Sequence, residues 1–179
     1  IMDGYSEGWG FSTGDILANA GGSALFISQQ FLWKEQRIQP KFGFQRSGYA
    51  HYRPDILGNT FPEQLLKDYN GQTYWLSVNV ASFLKADTRF PQWLNLAFGY
   101  GANGMTGGHE NPIMTNAQGN QFTLPRYRQY YFSFDIDLRK IQTRSVLLRT
   151  IFTTFGFLKI PAPGIEMSKN GVRPLLLAF

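Results

Sequence analysis

The sequence predicts an α+β protein in which helices ridged with small residues pack with an antiparallel β-sheet in a membrane-associated setting. Three observations carry that prediction. Residues 15–33 read DILANAGGSALFISQQFLW, with no charge between Asp15 and Lys34 and apolar side chains at helical spacing. Two later segments, around 93–100 and 130–139, alternate apolar and polar residues with the period of two expected of a half-buried strand. Aromatic residues make up 16% of the chain and charged residues only 16%, where soluble domains carry about 25% charge.

The 15–33 segment is the predicted organiser. Asp15 or Thr13 can cap its first turn, Leu17, Ala20, Ala24, Ile27 and Phe31 recur at helical spacing, and Lys34 follows where the helix dipole favours a cation. Gly14, Ala18 and Gly22, four apart, form a smooth ridge that admits a close neighbour, and Asp15, Asn19, Ser23 and Gln30 form a polar stripe beside it. At 1.5 Å per residue the helix would reach about 27 Å. Asn19, Ser23, Ser28, Gln29 and Gln30 dilute it, so it suits a buried core helix as well as a membrane span.

After it, 37–49 alternates Ile38, Pro40, Phe42 and Phe44 with Gln39, Lys41, Gly43 and Gln45, a strand whose proline belongs at an edge or a start. Residues 50–60 are rich in turn formers, and Thr60-Phe61-Pro62-Glu63 is a capping box opening a short helix through Lys67. The segment QTYWLSVNVASFLK after Asn70-Gly71 fits both periods. Tyr74, Leu76, Val78 and Val80 alternate as a strand would, while Leu76, Val80 and Phe83 suit a helix, and the helix is favoured as a resumption of the preceding one. Residues 93–100 form a strand with Leu94, Leu96, Phe98 and Tyr100 on one side and Asn95, Ala97 and Gly99 on the other. A long Gly/Asn-rich loop, 101–123, precedes the clearest strand, where Tyr130, Phe132, Phe134, Ile136 and Leu138 alternate with Tyr131, Ser133, Asp135, Asp137 and Arg139. An amphipathic helix over 145–158 and a hairpin-like pair around Lys169-Asn170-Gly171 complete the chain.

With 179 residues and no linker-like stretch, a single domain covering 1–179 is expected. The chain opens on Ile1 inside an organised segment, which suggests the C-terminal part of a longer chain. A net charge of +5 is scattered singly, without a basic run or a nucleic-acid motif, so nucleic acid is not an expected partner. The absence of Cys removes disulfides, thiolate metal sites and thiol nucleophiles. His109 beside Glu110 makes no metal site by itself, and His51 reads as a solvated loop histidine; no cofactor or metal is expected. Neither a phosphate loop nor a nucleophile elbow is present. The remaining candidates for packing or lipid contact are Asp3 and Glu7, four apart, with Trp9, Gly14, Asp15, Ala18, Asn19 and Gly22. Alternating strands with aromatic ends also follow the grammar of outer-membrane strands, although five candidates are too few for an eight-stranded barrel.

Several runs carry a family resemblance: DGYSEGWGFSTGDILANAGGSALFISQQFLWKEQRIQPKFGF, LLKDYNGQTYWLSVN, WLNLAFGYGANGM, YFSFDIDLRKI and KIPAPGIE. Together they make the chain resemble a family of exported envelope proteins typified by YfiM. The Trp9…Asp15…Asn19…Gly22 spacing is similar to the second half of VanZ-like membrane domains, whose earlier Asp-Lys-x-x-His element this chain lacks. The resemblance implies a Gram-negative cell envelope, at the outer membrane or its periplasmic face, and implies no reaction. The expected function is therefore a non-enzymatic outer-membrane-associated component that packs against other outer-membrane proteins and membrane lipid. A VanZ-like lipid- or glycolipid-handling protein, with Asp15 and Asn19 facing a head group, is the alternative; a soluble sugar- or peptide-binding module using the 101–123 loop is a third.

Overall fold

The structure, a computed structural model, describes residues 13–85, 89–108, 110–115 and 118–179. The chain divides into two compact units, Ile1–Ile38 and Gln39–Phe179. In the first, helix α1 runs over Thr13–Trp33 as predicted. It stops at Lys34, which takes a left-handed φ of 60° while its N–H still reaches the Gln30 carbonyl at 3.2 Å. Lys34 thus terminates the helix rather than only complementing its dipole. Gln29 ties the helix to the segment that follows. Its Oε1 accepts from the N–H groups of Arg37 (2.8 Å) and Ile38 (2.7 Å), and its Nε2 donates to the Ile38 carbonyl at 2.9 Å.

The buried core helix is corrected. Ile16, Leu17, Phe26, Ile27, Phe31 and Leu32 are all exposed. At 100° per residue Asn19, Ser23 and Gln30 keep to one narrow stripe, and the apolar side chains spread over most of the remaining circumference, too wide an arc for one neighbour to bury. Among the described residues no helix is long and apolar enough to cross a membrane.

The second unit is built on strands. β1 (Ile38–Phe44) is followed by helices α2 (Pro54–Leu57) and α3 (Phe61–Lys67), then by β2 (Gln72–Asn79) and β3 (Leu94–Asn103). Within the long Gly/Asn-rich loop, β4 (Met114–Thr115) and β5 (Gln121–Phe122) pair as a small ladder. Then come β6 (Tyr127–Ile136), helix α4 (Val146–Thr154), β7 (Ala162–Ser168) and β8 (Gly171–Ala178). The main sheet has the order β1-β2-β3-β6-β7-β8, an up-and-down arrangement in which chain neighbours are sheet neighbours once the β4–β5 ladder is set aside. From β2 to β8 every pairing is antiparallel. The predicted hairpin is realised by β7 and β8, turning through Gly171 at φ 108°.

The helix favoured for the segment after Asn70-Gly71 is corrected to strand β2. Trp75, Ser77 and Asn79 are each buried on one side of the sheet while Tyr74 and Leu76 are exposed on the other, so period two wins over 3.6. The helical spacing of Val80 and Phe83 survives only as a 3-10 turn, Val80–Phe83, where the Asn79 Oδ1 accepts from Ser82 N–H at 3.0 Å. The capping box at Thr60 forms as predicted, the Glu63 carboxylate accepting from the N–H groups of Asn59 (2.8 Å) and Thr60 (3.2 Å).

The sheet rolls until its two ends meet. β1 and β8 are at opposite ends of the strand order, yet the Phe179 backbone lies against Gly43, where any Cβ would collide with it. The Phe179 carbonyl accepts from the Thr73 hydroxyl and from the Trp75 indole N–H at 3.0 Å. On the outer edge of β1, Phe42 donates to the Phe157 carbonyl and accepts from Lys159 N–H, each at 2.8 Å. Residues 157–159 therefore cover part of the edge that β1 would otherwise leave bare.

Candidate functional site: an inverted sheet

The register places side chains of one type in rows across the strands. On the outer face, Tyr74, Tyr100 and Tyr130 are cross-strand partners and continue into Met167 and Val172. Two residues further along the strands lies the row Leu76, Phe98, Phe132, Ile165 and Pro174; beyond it are Val78, Leu96 and Phe134, then Leu94 opposite Ile136. Phe98 and Phe132 have ring centroids 5.2 Å apart, and Tyr100 and Tyr130 5.7 Å in an edge-on arrangement. No charged residue interrupts these rows. Tyr74, Leu76, Phe98, Tyr100, Tyr130, Phe134, Ile165, Met167 and Val172 are all exposed.

The inner face is the reverse. Asn79, Asn95 and Asp135 share one row, each no more than 1% exposed, and Ser77, Ala97 and Ser133 share the next, each no more than 2%. Polar groups carried so far from water need partners, and those of these two rows find them in one another; further along β3 the buried Asn103 Oδ1 has none among the described residues. Asp135 Oδ2 sits 2.6 Å from Lys41 Nζ, with neither side chain exposed, and accepts from the Ser77 hydroxyl at 2.6 Å. Asn95 Nδ2 donates to Ser77 Oγ at 2.9 Å, and Asn79 Nδ2 to Asn95 Oδ1 at 2.7 Å. Asp135 Oδ1 accepts from Ile160 N–H at 3.1 Å. Lys159 Nζ donates to the carbonyls of Phe134 (2.7 Å) and Ile160 (2.6 Å) and lies 4.9 Å from the Trp75 ring centroid. Gln39 Nε2 donates to Asp137 Oδ2 at 2.8 Å. The network links β1, β2, β3 and β6 to residues 159–160 through side chains, across the interior of the roll.

The apolar interior is small by comparison: Trp75, Ala97 and Ala178, with Tyr131 and Leu175 against them. At the end of the roll nearest the tyrosine row, a half-open cavity of about 220 Å³ is lined by Thr73, Gln129, Tyr131, Glu166, Arg173 and Phe179. Arg173 and Glu166 pair across it at 2.6 Å. Outside the strands, the backbone donors of Asn59 and Thr60 hold the Glu63 carboxyl below its ordinary pKa. Burial pushes the Tyr49 phenol above its ordinary value.

Part of the predicted packing or lipid site falls among the described residues. Asp3, Glu7 and Trp9 lie outside the described residues. Gly14 and Asp15 form the first turn of α1, the Asp15 side chain being outside the description; Ala18 and Asn19 are exposed, and a Cβ added at Gly22 meets nothing within 4 Å. His109 is outside the described residues, while the His51 ring stacks 3.9 Å from that of Tyr52. Among the described residues no group of three metal-ligating side chains occurs. The 101–123 loop is pinned at its base. Asn111 Nδ2 donates to the carbonyls of Gly104 (2.5 Å) and Leu124 (2.6 Å), and Arg126 Nε donates to Asn111 Oδ1 at 2.8 Å.

Lys41, Ser77, Asn79, Asn95 and Lys159 were not singled out from the sequence. Their signal was present as polar residues at every second position opposite aromatic ones, but alternation alone does not say which face is inside. Comparison with known proteins found no match to any family, curated protein or solved structure.

Proposed function

We propose that the chain is a non-enzymatic integral component of a Gram-negative outer membrane, its rolled sheet set in the bilayer with the aromatic and aliphatic rows against lipid. The single observation carrying this reading is the inversion of the sheet: unbroken apolar rows outside, a connected polar and ionic network inside. A water-soluble sheet of this size buries its apolar face, because each large side chain returned to water forgoes about 1.5–3 kcal/mol. A membrane sheet does the opposite, facing lipid outward and keeping hydrogen-bonding groups within. The length of β3 and β6, ten residues each, suits strands that cross the hydrocarbon at a tilt. Tyrosines in register on three adjacent strands match the aromatic girdle at a membrane–water boundary. The resemblance to exported envelope proteins of the YfiM type points to the same location.

The chain has no cysteine, so a single label can be placed at will. A fluorophore on Phe98→Cys in vesicle-reconstituted protein is expected to be quenched by quenchers carried on lipid tails and shielded from aqueous iodide. Iodide-accessible fluorescence at that position, from protein that is monodisperse without detergent, would overturn the reading.

A further inference from the structure

Helix α4 is amphipathic, yet none of its residues is buried. Leu147, Leu148, Ile151, Phe152 and Phe155 fall within one arc of the helix, with Arg149, Thr150, Thr153 and Thr154 opposite. The apolar arc is exposed along with the polar one: Leu147 is 69% exposed, Leu148, Ile151 and Phe155 lie between 39% and 49%, and only Phe152 is half-buried. The helix is well formed nonetheless. The Ser145 hydroxyl accepts from Leu148 N–H at 3.3 Å, and Thr150 and Thr153 return their hydroxyls to the carbonyls of Val146 (3.0 Å) and Arg149 (2.9 Å). The threonine side chains thus need little from solvent.

From residue 138 to residue 165 there is no Asp or Glu. Arg139 pairs with Asp137 at 3.2 Å, and Arg144 and Arg149 are the cations beside and on the helix. The helix also has a defined level. β6, which leads towards it through residues 137–145, ends at Ile136, whose partner Leu94 makes up the last outer row, and Trp93, exposed, stands beside that row. After α4 the chain returns to the sheet at 157–159, on the edge of β1. The chain that enters α4 therefore comes from the rim of the outer apolar rows.

We propose that α4 is an interfacial helix that lies along the membrane surface at this rim, its apolar arc in the upper acyl region and Arg144 and Arg149 against anionic lipid head groups. The inference rests on the sheet's being embedded, and it adds a second lipid contact with its own chemistry: shallow rather than deep, and charge-selective rather than purely apolar.

Two single-cysteine proteins separate the two claims. Full-length protein carrying a fluorophore on Leu147→Cys or on Phe98→Cys is reconstituted into vesicles of neutral phosphatidylcholine, and into vesicles containing anionic phosphatidylglycerol. The Leu147→Cys label is expected to be quenched by quenchers near the head groups, more strongly in anionic vesicles. The pair Arg144→Gln and Arg149→Gln should lower the anionic enhancement about fivefold per arginine. The Phe98→Cys label should be quenched from the bilayer centre in both lipids and ignore the arginine changes. If the Phe98→Cys label is lipid-quenched while the Leu147→Cys label stays open to aqueous iodide, the interfacial helix is overturned and the embedded sheet stands. Equal quenching of the Leu147→Cys label in neutral and anionic vesicles overturns the head-group selectivity. A water-accessible Phe98→Cys label overturns both claims.

Discussion

At the scale of single residues, the interior depends on one ion pair. Lys41 and Asp135 are both without exposed side-chain surface and 2.6 Å apart. Replacing Lys41 by Met removes the ion-pair partner and leaves the buried carboxylate with Ser77, the Ile160 amide and the neighbouring charge of Lys159. The cost of breaking such a buried pair is about 3–5 kcal/mol. Unfolding of Lys41→Met by denaturant in detergent micelles should show a loss of that size. Adding Asp135→Asn removes the buried carboxylate charge and should recover most of it. Gly99 makes a steric prediction. A Cβ there would stand 2.7 Å from the Trp75 ring, which is buried and cannot swing away. Gly99→Ala should therefore cost about 1–3 kcal/mol in the same assay. Glu63 makes one about pH. Its folded-state pKa is depressed by two backbone donors, so its contribution is complete above the ordinary carboxylate range, about 4.3, and is lost as pH falls through the lowered folded value. Amide exchange at Asn59 and Thr60 should speed up over that acid window, and Glu63→Gln should flatten the dependence.

At the scale of elements, the legible parts were those with one strong periodic signal. The span of α1, the capping box before α3, the alternation of β3 and β6 and the β7–β8 turn all follow from local spacing and turn chemistry. β2 was not legible, because Leu76, Val80 and Phe83 satisfy both periods; the choice was made by partners in β3, twenty or more residues away, which locate Trp75 against Gly99 and Ser77 opposite Ala97. The candidate site was legible in composition and not in assignment. Asp135 and Gln39 alternate visibly with aromatic and apolar neighbours, but whether that face looks inward depends on what surrounds the sheet. The lack of charge in α1 describes a helix and does not supply it with a buried face. The apolar rows also make an element-level prediction. Phe98→Lys puts a charge in the middle of the outer face of β3, and at mid-bilayer depth such a substitution costs about 2–4 kcal/mol. Measured by folding into vesicles of defined thickness, the penalty should shrink towards zero for Tyr100→Lys, which lies one row nearer the rim.

At the scale of the molecule, inversion constrains how the protein can be handled. Two contributions that normally oppose each other, burying apolar surface and satisfying polar groups, are here assigned to opposite faces, so the proposed membrane setting predicts that both are satisfied only with lipid or detergent outside. Removing detergent returns the outer rows to water together, a contiguous apolar surface spanning five strands, from β2 through β8. High salt should leave such a protein in the membrane fraction, because screening weakens ionic attachments between exposed groups and not burial of apolar rows. Detergent above its critical concentration should release it. A version carrying Leu76→Asn, Phe98→Asn and Phe132→Asn alters only one outer row and leaves the Lys41–Asp135 network intact; it should shift from the detergent-dependent to the aggregated fraction during refolding into vesicles. Should that triple variant partition and refold like the parent, the outer rows would not be the surface that meets lipid, and the polar interior would have to be explained without a membrane around it.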